Sequence, residues 1–114
     1  MASIVRGSDN FDSAGGAAMK AWVNFNGQGT VAIRGSYNVS SITDNGTGHY
    51  TINFTTAMPD VNYATTGSNN WDNGSVNLVF SVIGVNTSSV IVKTVYGQNN
   101  ATYDPVGAFA AIFR

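Results

Sequence analysis

The chain has 114 residues, a net charge of −1 at neutral pH and only 10% charged residues, against roughly 25% in a typical soluble domain. Its length suits one domain. No Lys/Arg cluster offers an electrostatic footprint for nucleic acid, no apolar run approaches the roughly 20 residues of a bilayer span, and no cysteine is present for disulfides.

The acidic residues are all aspartate, glutamate is absent, and lysine occurs only as Lys20 and Lys93. Residues that favour exposed helix are therefore missing, while Asn, Thr, Ser, Val and Gly are plentiful, which predicts an all-β domain. A domain of this size removes only about two thirds of its unfolded surface from water. With no disulfide, and with His49 as the single histidine to hold a structural zinc, oligomerisation is the support to expect for a domain this small. The opening MASIVRGSDNF lacks the apolar core of a secretory signal. The six N-x-S/T sequons, at Asn38, Asn45, Asn53, Asn73, Asn86 and Asn100, then read as chance spacing in an Asn-, Ser- and Thr-rich chain.

Residues 1–19 are rich in Gly, Ser, Ala and Asp without a period and read as an extended or flexible N-terminal arm; residues 20–114 form the folded domain. In KAWVNF, Ala21, Val23 and Phe25 alternate with Lys20, Trp22 and Asn24. NGQGT (26–30) turns the chain, and residues 31–39 place Val31, Ile33, Tyr37 and Val39 on one face, with Gly35 marking a bulge or close approach. TDNGTG (43–48) reads as a hairpin turn whose Asn45-Gly46 pair suits positive φ angles. HYTINFT follows, with Tyr50, Ile52 and Phe54 dry and His49, Thr51, Asn53 and Thr55 wet. Met58-Pro59 ends that strand. A further strand is predicted over 61–67, then a polar turn, SNNWDNGS (68–75). The strands over 76–83, 89–96 and 106–113 are apolar on both faces.

Seven or eight short strands with regular turn signals predict a small antiparallel β-sandwich or jelly-roll-like barrel. One sandwich needs only one dry face per sheet, so the second faces of the last three strands point to other copies of the chain.

No catalytic constellation stands out. His49 lies on the polar face of its strand, and Asp60, Asp72 and Asp104 fall in no pattern that pairs carboxylates. The two Asp-Asn-Gly turns lack the alternating oxygen ligands of a calcium loop, so neither a metal nor a cofactor is expected, nor an enzyme. Binding is better supplied. A flat aromatic face meets the C–H surface of a sugar, and fixed amides and carboxylates meet its hydroxyls. Asn69, Asn70, Trp71, Asp72 and Asn73 carry those groups in one loop, and Gln98, Asn99, Asn100, Tyr103 and Asp104 in another. The alternative for Trp71 is packing under its own loop or against a neighbouring subunit, which is also the reading for Trp22.

The stretch Lys20–Ala64 resembles a domain at the C-terminal ends of bacteriophage tail fibres and related virion proteins. The motifs that carry the resemblance are Ala21-Trp22-Val23-Asn24-Phe25, Ile42-Thr43-Asp44-Asn45-Gly46-Thr47-Gly48, and Tyr50-Thr51-Ile52-Asn53-Phe54 followed by Met58-Pro59-Asp60. A looser similarity, through Phe54, Met58-Pro59 and Tyr63, links the chain to trimeric H-type lectins. The resemblance implies a homotrimeric structural protein of the virion, without membrane insertion, that attaches to host-surface glycan as a tail-fibre tip or spike. Such domains usually end long fibre chains, whereas only residues 1–19 precede the motifs here, which fits an excised tip or a small independent virion protein. The rival expectation is a capsid decoration or cement protein that binds only virion partners.

Overall fold

The structure is a computed structural model that describes residues 18–70 and 78–114; most of the expected arm, and Trp71, Asp72 and Asn73, lie outside the described residues. Among the described residues the chain forms eight strands: β1 (Met19–Asn26), β2 (Ala32–Tyr37), β3 (Val39–Gly46), β4 (His49–Phe54), β5 (Ala64–Asn70), β6 (Leu78–Val85), β7 (Ser89–Tyr96) and β8 (Gly107–Phe113). They build two antiparallel four-stranded sheets, in the orders β2-β1-β8-β5 and β3-β4-β7-β6. This is the small all-β sandwich that the composition predicts.

The core lies where alternation puts it. Ala21, Val23 and Phe25 of β1 stand opposite Ile112, Ala110 and Ala108 of β8, and all six are buried. From the other sheet, Tyr50 and Ile52 of β4 pair with Val92 and Val90 of β7 and close the space between. The Phe25 and Tyr50 rings meet edge to face across the sheets, with centroids 5.2 Å apart, a favoured geometry for two aromatic quadrupoles.

The single strand expected over 31–39 is two strands in two different sheets. Asn38, at φ 56°, turns the chain from β2 into β3. Its amide holds the corner: Nδ2 donates to the carbonyls of Lys20 and Thr56, each at 3.1 Å, and Oδ1 accepts the Thr56 N–H at 2.7 Å. Asparagine tolerates this left-handed conformation better than most residues because its short amide bonds locally. Tyr37 does not share the dry face of Ile33 as expected. A register shift between Asn24 and Phe25 pairs Ile33 with Phe25 on the inside but Tyr37 with Trp22 on the outside, leaving Tyr37 56% exposed. The extra residue of a bulge reverses the phase of whatever follows it. The close approach expected at Gly35 is real: a Cβ there would stand 3.2 Å from the Trp22 ring.

The strand expected over 61–67 starts later, at Ala64. Before it, Asp60 accepts the Asn62 N–H at 2.8 Å and takes two bonds from the Arg114 guanidinium, at 3.0 and 2.7 Å. Those bonds tie the segment between β4 and β5 to the end of β8.

Candidate functional site

The strand order brings the end of β5, with Asn69 and Asn70, to the end of the sandwich that carries the 97–106 loop. The first candidate loop leaves the end of β5, the second leaves the end of β7 and returns into β8, and β5 and β8 are neighbours. Within that end Asn70 stands opposite Gly107, and the Asn70 carbonyl accepts the Val106 N–H at 3.1 Å. The Tyr103 hydroxyl donates to Asn69 Oδ1, and Asn69 Nδ2 donates to the Val79 carbonyl at 3.3 Å. Residues some thirty positions apart in sequence are thus hydrogen-bonded to one another.

Each candidate residue has a definite place. Tyr103 is buried; its ring stacks on Tyr96 with centroids 4.7 Å apart. Burial first, and the Tyr96 hydroxyl second, push its own hydroxyl up to about 12. Asp104 is half-buried and its Oδ1 accepts two bonds, from the Gly48 N–H at 2.9 Å and the Tyr50 hydroxyl at 2.8 Å. Burial, followed by the bond to Asp104, raises the Tyr50 hydroxyl well above the ordinary phenol range, so Tyr50 stays a donor. Gly48 has no alternative as a residue here. It sits at φ 63°, and a Cβ would lie 2.6 Å from the Thr94 carbonyl oxygen and 2.7 Å from that of Tyr103. Asp104 and Tyr103 therefore fasten the 97–106 loop onto β4 and β7 and present little to solvent.

What the loop exposes is its tip. Gln98, Asn99 and Asn100 are exposed; Asn99 Oδ1 accepts the Ala101 N–H at 3.0 Å, and Asn100, at φ 59°, donates its N–H to the Tyr96 carbonyl at 2.8 Å. Asn70, at the end of β5, is exposed as well. The tip thus carries exposed amides, that of Asn99 bonded to its own loop backbone, able to give and take hydrogen bonds with a polyhydroxylated ligand. Trp71, Asp72 and Asn73 belong to the loop outside the described residues. Among the described residues no three His, Asp or similar side chains gather as a metal site would need.

Two grooves lie elsewhere, and the sequence reading named neither. One, of about 540 Å³, is at the opposite end, where Tyr37 and Lys20 border the 55–59 segment around the Asn38 corner. The other, of about 490 Å³, runs over the outer face of the β1–β8–β5 sheet between Trp22 and Phe109, with Thr66 and Ser68 along its side. The first depends on the β1–β2 bulge that turns Tyr37 outward, and the second on the pairing of β8 with β1 and β5. No family model matches the chain, and no curated protein or solved structure matches it significantly.

Proposed function

We propose that this chain is a bacteriophage virion protein, a homotrimeric tail-fibre tip or spike, that attaches the particle to host-surface glycan. The observation that carries the attachment role is the bonding of Asn69 to Tyr103 and of Asn70 to Val106, which joins the end of β5 to the loop that exposes the amides of Gln98, Asn99 and Asn100. Sugar recognition needs such pre-positioned amides, since groups ordered only on binding spend affinity on their own immobilisation. Trp71, next in the chain after Asn70, supplies the aromatic face. Individual contacts of this kind are weak, and three copies sharing one axis raise avidity without adding any. The virion assignment rests on the motif resemblance between Lys20 and Ala64.

The second reading, a decoration or cement protein that binds only virion partners, is favoured by the groove between Trp22 and Phe109 on an outer sheet face. One experiment divides them. The protein and its Trp71→Ala and Asn99→Ala variants are applied to a printed panel of bacterial O-antigen and capsular saccharides, with Tyr37→Ala, at the other end of the sandwich, as control. Attachment predicts binding that is lost in the first two variants and kept in the third. No binding to any saccharide, together with no block of phage adsorption to host cells, removes the attachment role and leaves the cement reading.

A further inference from the structure

The outer face of the β2-β1-β8-β5 sheet holds an arrangement that the attachment reading does not use. Trp22 and Asn24 alternate with the buried Ala21, Val23 and Phe25, so they point away from the core. Phe109 and Ala111 of β8 do so for the same reason. Register lines these residues up in two rows: Trp22, Ala111 and Thr66, then Asn24, Phe109 and Ser68. The small Ala111 lies low between larger neighbours, in the groove of about 490 Å³ that Trp22 and Phe109 wall. Thr66 and Ser68 are exposed along its β5 side. Both rings rest against glycines: a Cβ on Gly35 would stand 3.2 Å from the Trp22 ring, and one on Gly107 2.8 Å from that of Phe109.

The head of this groove is charged. Arg34, the extra residue of the β1–β2 bulge, reaches across β1 to the start of β8. Its Nη2 donates to the Val106 carbonyl at 2.6 Å and its Nη1 to Asn24 Oδ1 at 3.5 Å. Both acceptors are neutral. Among the described residues no carboxylate pairs with Arg34, and the ion pair found there joins Asp60 to Arg114. A guanidinium positioned by neutral oxygens keeps its full charge, and its remaining N–H groups, for an anion from outside.

We infer that this groove is a saccharide subsite selective for a uronic acid, a sugar whose ring carries a carboxylate. Aromatic walls bordered by hydroxyls on one side and an amide on the other match a pyranose, which has an apolar C–H face and a hydroxyl rim. Trp22 and Asn24 stand two residues apart on one strand face, about 7 Å. A ring held against the Trp22 indole therefore brings a carboxylate on its edge within reach of the guanidinium bonded to Asn24. That charge-assisted bond is roughly twice as strong as a neutral one, and a hydroxymethyl group in place of the carboxylate cannot make it. The volume also suits a small ligand, lying within the roughly 300–1,000 Å³ of typical clefts. This subsite lies on the sheet face and not at the 98–100 tip, so it stands or falls apart from the surface proposed there.

The test uses methyl glucuronide and methyl glucoside, which differ only in carboxylate against hydroxymethyl. NMR of the isotope-labelled full chain follows the indole N–H signals of its two tryptophans, Trp22 and Trp71, as each sugar is added. The expected result is a saturable shift of the Trp22 signal with the glucuronide, at a millimolar Kd. The glucoside should bind at least about 10-fold more weakly. Arg34→Gln, and Ser68→Glu with its like charge on the exposed side of the groove, should weaken the glucuronide by a similar factor. Lys93→Gln removes one positive charge from the other sheet and should leave the affinity unchanged. Retained dispersion of the amide signals shows that each variant is folded. No shift of Trp22 up to about 50 mM sugar, equal affinity for the two sugars, or an Arg34→Gln variant that binds as the parent does would each overturn the inference. A shift confined to Trp71 would overturn it as well and place the sugar in the loop after β5.

Discussion

Replacing Tyr50 with phenylalanine isolates one bond at the base of the candidate surface. The ring is 0% exposed and packs edge-on against Phe25, and phenylalanine keeps all of that contact. What disappears is the hydroxyl, which donates to Asp104 Oδ1 at 2.8 Å and lies 3.2 Å from the Gly27 carbonyl. A hydrogen bond to a charged acceptor contributes about 1.5–3 kcal/mol, and with no cavity opened there is no packing loss to add. Asp104 keeps only its bond from the Gly48 N–H, so the substitution should destabilise the fold by about 2 kcal/mol, or a Tm decrease of about 8 °C or more at this size. Urea unfolding of Tyr50→Phe, Asp104→Asn and the double variant checks the origin of the loss. If the two groups act through one another, the double variant should fall short of the sum of the singles by about 1 kcal/mol or more. A loss below about 0.5 kcal/mol in Tyr50→Phe, or strict additivity, would show that the hydroxyl–carboxylate bond is not what fastens the 97–106 loop.

Gly48→Ala is expected to be the more damaging change at the same place. The left-handed backbone costs an L-residue about 1–2 kcal/mol, and the new methyl would collide with two fixed carbonyl oxygens, so thermal melting should show a loss beyond about 3 kcal/mol. At the opposite end, the Arg114 guanidinium, then the Asn62 N–H, hold the Asp60 carboxyl down from 3.8 to about 2. A depressed carboxyl adds stability above its unfolded value, and that increment is lost as pH falls from about 4 toward 2. Asp60→Asn should therefore flatten the decline of Tm across that acid window and leave its slope near neutrality unchanged; an unchanged acid decline would dissociate the ion pair from acid lability.

How much of this could be read in advance depended on whether the signal was local. HYTINF alternates without exception, and β4 buries Tyr50, Ile52 and Phe54 as its pattern predicts. The bounds of β7 also coincide with the expected 89–96. β3 left no such trace, because VSSITDNG is an edge strand with most of both faces in water, and burial is what imposes a period of two. Tyr37 was misplaced by one bulged residue, an event that belongs to the pairing of two strands and not to either one. Tyr103 and Asp104 illustrate a deeper ambiguity. A phenol and a carboxylate beside several amides have the same composition whether they meet a ligand or brace a loop. Only the positions of Asn69, Gly48 and Tyr50, all distant in sequence, separate the two roles. Asn99 and Asn100 stay at the tip, held by the Ala101 N–H and the Tyr96 carbonyl. A binding surface here would use the exposed amides directly and Tyr103 and Asp104 through their hold on the loop, so that loosening Asp104 should weaken a ligand that never touches it.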